Sequence, residues 1–140
     1  MRFWDTSALV PLVYPEASTE RLLALESGRD PVLVWTLTPA EIASALSRKR
    51  REGVPEAALS SARRRLAELS SHWIEIQDVP RVRQRALRLV ETHPLRAADA
   101  LQLAAALVGA EEQTDGIAFV TLDRVLAEAA RKEGFEVSGL

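Results

Sequence analysis

Short apolar segments recur along the chain, and nearly everything between them carries helical spacing. The apolar segments are Arg2 to Trp4, Val32 to Trp35, Trp73 to Ile76, Ala118 to Thr121 and Glu136 to Val137. Runs this short and this apolar are expected as strands buried on both faces. In the gaps, Leu59, Ala62, Leu66 and Leu69 repeat at helical spacing, with Pro55 placed for a first turn. Val82, Ala86, Leu89 and Val90 do the same. So do Val125, Leu126, Ala129 and Ala130, a run that Gly134 is placed to end. The stretch holding Leu101, Ala104, Ala105 and Val108 is also apolar at Leu103 and Leu107. It predicts a central helix buried on nearly every side. Strands alternating with helices restrict the chain to an α/β fold, a parallel sheet covered on both faces by helices. Such sheets bind ligands at the carboxyl ends of their strands, near a switch point in strand order.

The chemistry open to this fold is narrowed by what the chain lacks. Its 140 residues suit a single domain, 1–140, able to bury a core unaided. There is no cysteine, which excludes disulfides and thiolate metal sites, and His72 and His93 are too few for a His-rich zinc site. Any metal must therefore be held mainly by oxygen. No apolar stretch approaches the roughly 20 residues that span a bilayer. The amino terminus carries no basic-then-apolar export signal, so a cytoplasmic location is expected. The net charge of −2 supplies no global field for nucleic acid but leaves room for local basic patches.

Four acids stand out by position. Asp5 follows the first strand, Glu41 opens the helix after the second, and Asp123 follows the fourth. Strand order permitting, these three fall at the carboxyl edge. Asp99, early in the apolar helix, joins them if that helix begins there. Each acid also has a purely structural reading. Asp5 suits the N-cap of a helix starting near Ala8, as do Thr6 and Ser7. Thr38-Pro39-Ala40-Glu41 reads as a capping box, with Thr38 at N-cap and Glu41 at N3. Asp123 suits the N-cap of the last helix. Asp99 is harder to explain this way, because a buried carboxylate without a partner costs several kcal/mol; Arg96 or a metal ion would relieve it. If all four converged within ~5 Å, each pair would repel by roughly 3 kcal/mol at an effective dielectric of about 20. That cluster implies a divalent cation, raised carboxylate pKa values, or both. All-oxygen ligands favour Mg²⁺ or Mn²⁺, and such an ion activates water and polarises phosphoryl oxygens, which points to phosphodiester hydrolysis.

The stretches DTSALV, TPAEIASAL, LRAADALQLAAAL and FVTLDRVLAEAARKEGF, in that order from Asp5 to Phe135, resemble the motifs of PIN-domain ribonucleases. The likeness is greatest to the small VapC-like toxins of toxin–antitoxin pairs. The resemblance implies a three-layer α/β/α fold around a parallel sheet of four or five strands. It implies a Mg²⁺-dependent endoribonuclease, with Mn²⁺ a possible substitute, whose acidic residues map onto Asp5, Glu41, Asp99 and Asp123. Thr6, Ser7 and Thr121 fall where the family has small hydroxyl residues that orient the acids. A homodimer and a VapB-like antitoxin are implied too, the antitoxin laying an apolar helix near Leu22, Leu23 and Leu25. One departure is Pro11, where many relatives carry a lysine; another cation must then hold RNA phosphate. Arg48, Lys49, Arg50 and Arg51 are the first candidates, with Arg63 to Arg65 and Arg81, Arg85 and Arg88 behind them. A receiver domain would need a lysine ending a strand, with Asp78 as phosphoacceptor. A haloacid-dehalogenase-like phosphatase would need an acid where Ser7 stands. The rival of another class is a non-catalytic PIN-like module that binds RNA or protein.

Overall fold

The computed structural model describes residues 1–140. Its strands are β1 (Arg2–Trp4), β2 (Val32–Trp35), β3 (Ile74–Ile76), β4 (Ala118–Val120) and β5 (Glu136–Ser138). They form one sheet in the order β3-β2-β1-β4-β5, and every neighbouring pair is parallel. The chain builds outward from β1 to β3, then returns to add β4 and β5 on the other side. The switch point therefore lies between β1 and β4, where Phe3 registers with Phe119 and Trp4 with Val120.

Period-2 alternation in the strands makes two cores. Phe3, Leu33, Trp35 and Phe119 point to one face, into a cluster with α5 (Val79–Thr92), α6 (Ala97–Gly109) and α7 (Arg124–Lys132). Trp4, Val32, Val34 and Val120 point to the other. There they meet α1 (Thr6–Val13), α2 (Thr19–Glu26), α3 (Thr38–Arg51) and α4 (Glu56–Ser70). The result is the expected three-layer α/β/α fold on a five-stranded parallel sheet. Phe3 stacks on Phe119 with ring centroids 5.4 Å apart, tying the switch point together. The indole N–H groups of Trp4 and Trp35 are buried without partners, a penalty of roughly 1–3 kcal/mol each set against the apolar area these rings remove from water.

Several local expectations change. Only the three inner strands are buried; β3 and β5 are sheet edges, and Ile74 is 51% exposed. An apolar run does not reveal that a strand has only one neighbour. Val90 and Val125 lie on the outer faces of α5 and α7, at 41% and 52% exposure. Pro55 is the N-cap of α4 rather than part of its first turn. Gly134 takes the left-handed step, φ +99°, just beyond the C-cap of α7. Leu22 is fully buried, and Leu23 and Leu25, half-buried, pack against the same core. No helix is long and apolar enough to cross a membrane.

Candidate active site

β1 delivers Asp5 to the sheet's carboxyl edge. The Asp5 backbone N–H still bonds Val120 O at 3.0 Å, so the residue is fixed by the ladder before its side chain acts. The carboxylate is 4% exposed. It sits at the N-cap of α1 but caps nothing. Ser7 Oγ and Thr121 Oγ1 both donate to its Oδ2, the latter at 2.6 Å. Ser7 Oγ also accepts from Leu122 N at 2.9 Å, and Thr121 Oγ1 from Asp123 N at 3.0 Å. Of the three hydroxyl residues expected to orient the acids, Ser7 and Thr121 hold Asp5, while Thr6 opens α1 with its hydroxyl on Gln102. Behind Thr121, Gly139 adopts φ +104°, and a Cβ there would stand 2.7 Å from Thr121 O. Only glycine fits this close approach.

The capping-box reading of Glu41 does not survive. Thr38 is the first helical residue of α3, Leu37 is the N-cap, and no side chain caps the helix. Both side chains are drawn elsewhere by a residue distant in sequence: the two N–H groups of Gln102 Nε2 are shared among Thr38 Oγ1 at 3.1 Å, Glu41 Oε1 at 3.0 Å and Thr6 Oγ1 at 3.0 Å. Asp123 does cap α7, accepting from Leu126 N at 2.9 Å, and also faces the site. Asp99 is not buried in its helix as expected. It lies half-exposed on the first turn of α6, because the apolar run that buries the helix starts at Ala100. Asp78, the residue a receiver domain would phosphorylate, caps α5 instead, accepting from Arg81 N.

Asp5, Glu41, Asp99 and Asp123 line one cavity of about 690 Å³. Their electrostatics are only partly relieved. Burial pushes the Asp5 pKa up, and the Asp99 charge adds to it, against the hydrogen bonds from Ser7 and Thr121. Glu41 is raised by burial and then by Asp5 and Asp99, while the bonds from Gln102 and Thr6 oppose the shift. Asp99 is raised by burial and by Asp123, with a partial offset from Arg96. The acids nevertheless do not close on one point: no three Asp, Glu or His side chains converge tightly enough to hold an ion. The expected cluster is therefore looser than the sequence suggested. Mutual repulsion and separate tethers account for it, since Asp5, Glu41 and Asp123 are each hydrogen-bonded to different partners. In donor chemistry the set still fits a hard divalent cation, being all carboxylate.

Helical phase divides the basic run at the end of α3. Glu41, Ser44, Ala45, Arg48, Lys49 and Glu52 share the face that lines the cavity. Lys49 is engaged there, 3.2 Å from Glu16 and 4.4 Å above the Tyr14 ring. Arg48 stands exposed on the same wall. Arg50 turns to a different groove and pairs with Glu56 at 3.2 Å, and Arg51 lines neither. The residue missed from sequence is Gln102. Its signal was a single amide inside LQLAAAL, three positions after Asp99, and therefore on the same helical face.

The PIN-domain family pattern matches residues 2–132. The chain belongs to the PIN-domain family. Among relatives of this PIN domain is ribonuclease VapC45 of Mycobacterium tuberculosis, 30% identical over 137 residues, covering 97% of this chain and 93% of the relative. Its fold is similar to that of a toxin–antitoxin complex from Klebsiella pneumoniae, at TM-score 0.62 and 19% identity, with 91% of each chain covered. It is similar also to FitAcB from Neisseria gonorrhoeae, at TM-score 0.67 and 17% identity, covering 98% of this chain and 96% of that one.

Proposed function

We propose that this PIN domain is a metal-dependent endoribonuclease and the toxin of a toxin–antitoxin pair. The observation that carries the reading is a single cavity lined by carboxylates from four separate chain segments, with Arg48 on its wall. A fold that sought only stability would not gather unpaired acids at its switch point. Asp5, Glu41, Asp99 and Asp123 are the residues to hold Mg²⁺ or Mn²⁺. When bound there, such an ion neutralises carboxylate charge and polarises the phosphoryl oxygens of an RNA phosphodiester. Asp5 is locked by Ser7 and Thr121 and acts as the fixed point of the site. Gln102 engages Glu41 at Oε1, holding the carboxylate where it takes a proton from the attacking water. Arg48 holds a phosphate of the substrate in the role left vacant by Pro11. The products carry 5′-phosphate and 3′-hydroxyl ends, because neither histidine is at hand to promote attack by a 2′-hydroxyl. His93 is buried against Glu133, His72 bonds Ser71, and neither lines the cavity.

The proposed partners are a second copy of this chain and a VapB-like antitoxin. The similarity to a solved toxin–antitoxin complex supports the second. A groove of about 590 Å³ between α3 and α4, with Pro39, Ala43, Leu46 and Leu66 along it, suits an apolar helix better than the α2 leucines do.

The test is cleavage of total RNA from the source organism by the purified protein, in Mg²⁺, Mn²⁺ or EDTA, beside Asp5→Asn. Discrete metal-dependent cuts absent from the variant are expected. A folded, antitoxin-free protein that binds the metal and cuts nothing would move the assignment to a non-catalytic binding module. Cyclic-phosphate ends would overturn the mechanism.

A further inference from the structure

Gln102 is a costly residue to place where it is. Its side chain is fully buried, in a helix otherwise built from alanine, leucine and valine along its buried faces. Its amide nitrogen stands 3.0 Å from Glu41 Oε1. An ionised carboxylate only accepts hydrogen bonds, so the amide must present its N–H side; reversed, it would set oxygen against oxygen. That orientation strands the other end: Gln102 Oε1 is buried with no partner. A leucine or methionine would fill the same space without an orphaned acceptor. The fold keeps the amide nonetheless, and its neighbours show what the amide does.

Thr6 and Thr38, at 3.0 and 3.1 Å from Nε2, are the first residues of α1 and α3. Together with α6 itself, three helices are joined at one nitrogen. Those helices begin beside or carry Asp5, Glu41 and Asp99. The Glu41 stem is flexible, and its neighbours Asp5 and Asp99 repel it. The other side chain bonded to Glu41 is Thr6, which itself rests against the Gln102 amide.

We propose that Gln102 is the positioning residue of the site, whose amide, steadied by Thr6 and Thr38, aims the Glu41 carboxylate into the cavity. It touches neither substrate nor ion and acts only through Glu41. The inference rests on the nuclease reading for its consequence in turnover, but not for its geometry.

The experiment is a double-mutant cycle of Gln102→Met and Glu41→Ala, with kcat and KM measured on an RNA oligonucleotide spanning a cut mapped in total RNA. Methionine keeps the volume and removes the amide. Gln102→Met is expected to lower kcat by about 10–100-fold, the usual effect of removing an outer-shell partner, with KM nearly unchanged. In the Glu41→Ala background the same change should lower kcat by less than about 2-fold, because the carboxylate it positions is already gone. Equal losses in both backgrounds, or no loss in either, would overturn the role; a merely structural residue gives the former. A readout free of turnover runs beside it: Mn²⁺ affinity by calorimetry, and a crystal structure of Gln102→Met. Weaker Mn²⁺ binding and a Glu41 side chain turned outward are expected. If the wild type cuts no RNA, the nuclease reading fails while the Glu41 geometry still decides this proposal; a Glu41 unmoved by Gln102→Met would end it.

Discussion

Replacing Asp5 by asparagine should abolish cleavage and yet stabilise the metal-free protein. The carboxylate is 4% exposed, and its side-chain partners are the hydroxyls of Ser7 and Thr121, both on Oδ2. Asparagine in the same rotamer places its carbonyl oxygen there and keeps both bonds. Each weakens from a charged bond of roughly 1.5–3 kcal/mol to a neutral one of roughly 0.5–1.5 kcal/mol, a loss of about 2 kcal/mol for the pair. Against this, an unpaired buried ion carries a penalty of several kcal/mol, to which the Asp99 charge adds. The net expectation is a gain of about 1–3 kcal/mol, or very roughly 3–10 °C in Tm for a chain of this size. The assay is a thermal melt at pH 8 in EDTA and again in Mg²⁺. In Mg²⁺ the wild type should gain stability by ligand linkage and the variant far less, narrowing or reversing the gap. An Asp5→Asn protein that melts at or below the wild type in EDTA would refute the reasoning, because the buried charge would then be compensated.

The same carboxylates set a pH dependence. Asp5, Glu41 and Asp99 all have raised folded-state pKa values, so the folded protein binds these protons more tightly than the unfolded chain. Their contribution to stability should fall as pH rises from the ordinary carboxylate value near 4, and level off above the raised values. Urea unfolding in EDTA, wild type minus Asp5→Asn/Asp99→Asn, isolates the effect; a difference that stays flat with pH would contradict it. Arg48→Ala should weaken RNA binding and reduce the slope of log K against log salt by about 1, whereas Arg50→Ala, whose guanidinium is engaged by Glu56, should change it much less. Equal slopes for the two variants would remove Arg48 from the RNA path. Gly139→Ala forces a Cβ to within 2.7 Å of Thr121 O at φ +104°, and should cost about 1–3 kcal/mol in urea unfolding. It should also reduce cleavage by moving Thr121 away from Asp5; full activity in the destabilised variant would show that Thr121 tolerates the shift.

The architecture was legible because strand and helix periods differ and alternate. What sequence could not provide was neighbourhood. β3 and the inner strands read alike, yet β3 has a partner on only one side. Asp5, Glu41 and Asp123 were placed at the carboxyl edge by their strands, and this required only local reasoning. The distances between them did not follow, because each carboxylate is tethered by its own partner. Thr38 and Glu41 fit the local pattern of a capping box, but Gln102, more than 60 positions away, draws both side chains elsewhere. The basic run Arg48 to Arg51 reads as one patch in sequence; a rotation of about 100° per residue splits it between the cavity, the α3–α4 groove and open solvent. That division was available from phase alone, taking Glu41 as reference.

The strand order carries a consequence in time. β1 is made first, but its partner β4, with Thr121 and Asp123 just beyond it, comes from the last quarter of the chain. Thr121 lies 116 positions from the carboxylate it holds. A chain still growing on a ribosome can pair β1 with β2 and display Asp5, Glu41 and Asp99, but one wall of the cavity does not yet exist. Only when β4 slides in beside β1 does Asp5 acquire its second hydroxyl. A site wired in this order is incomplete until synthesis is nearly finished.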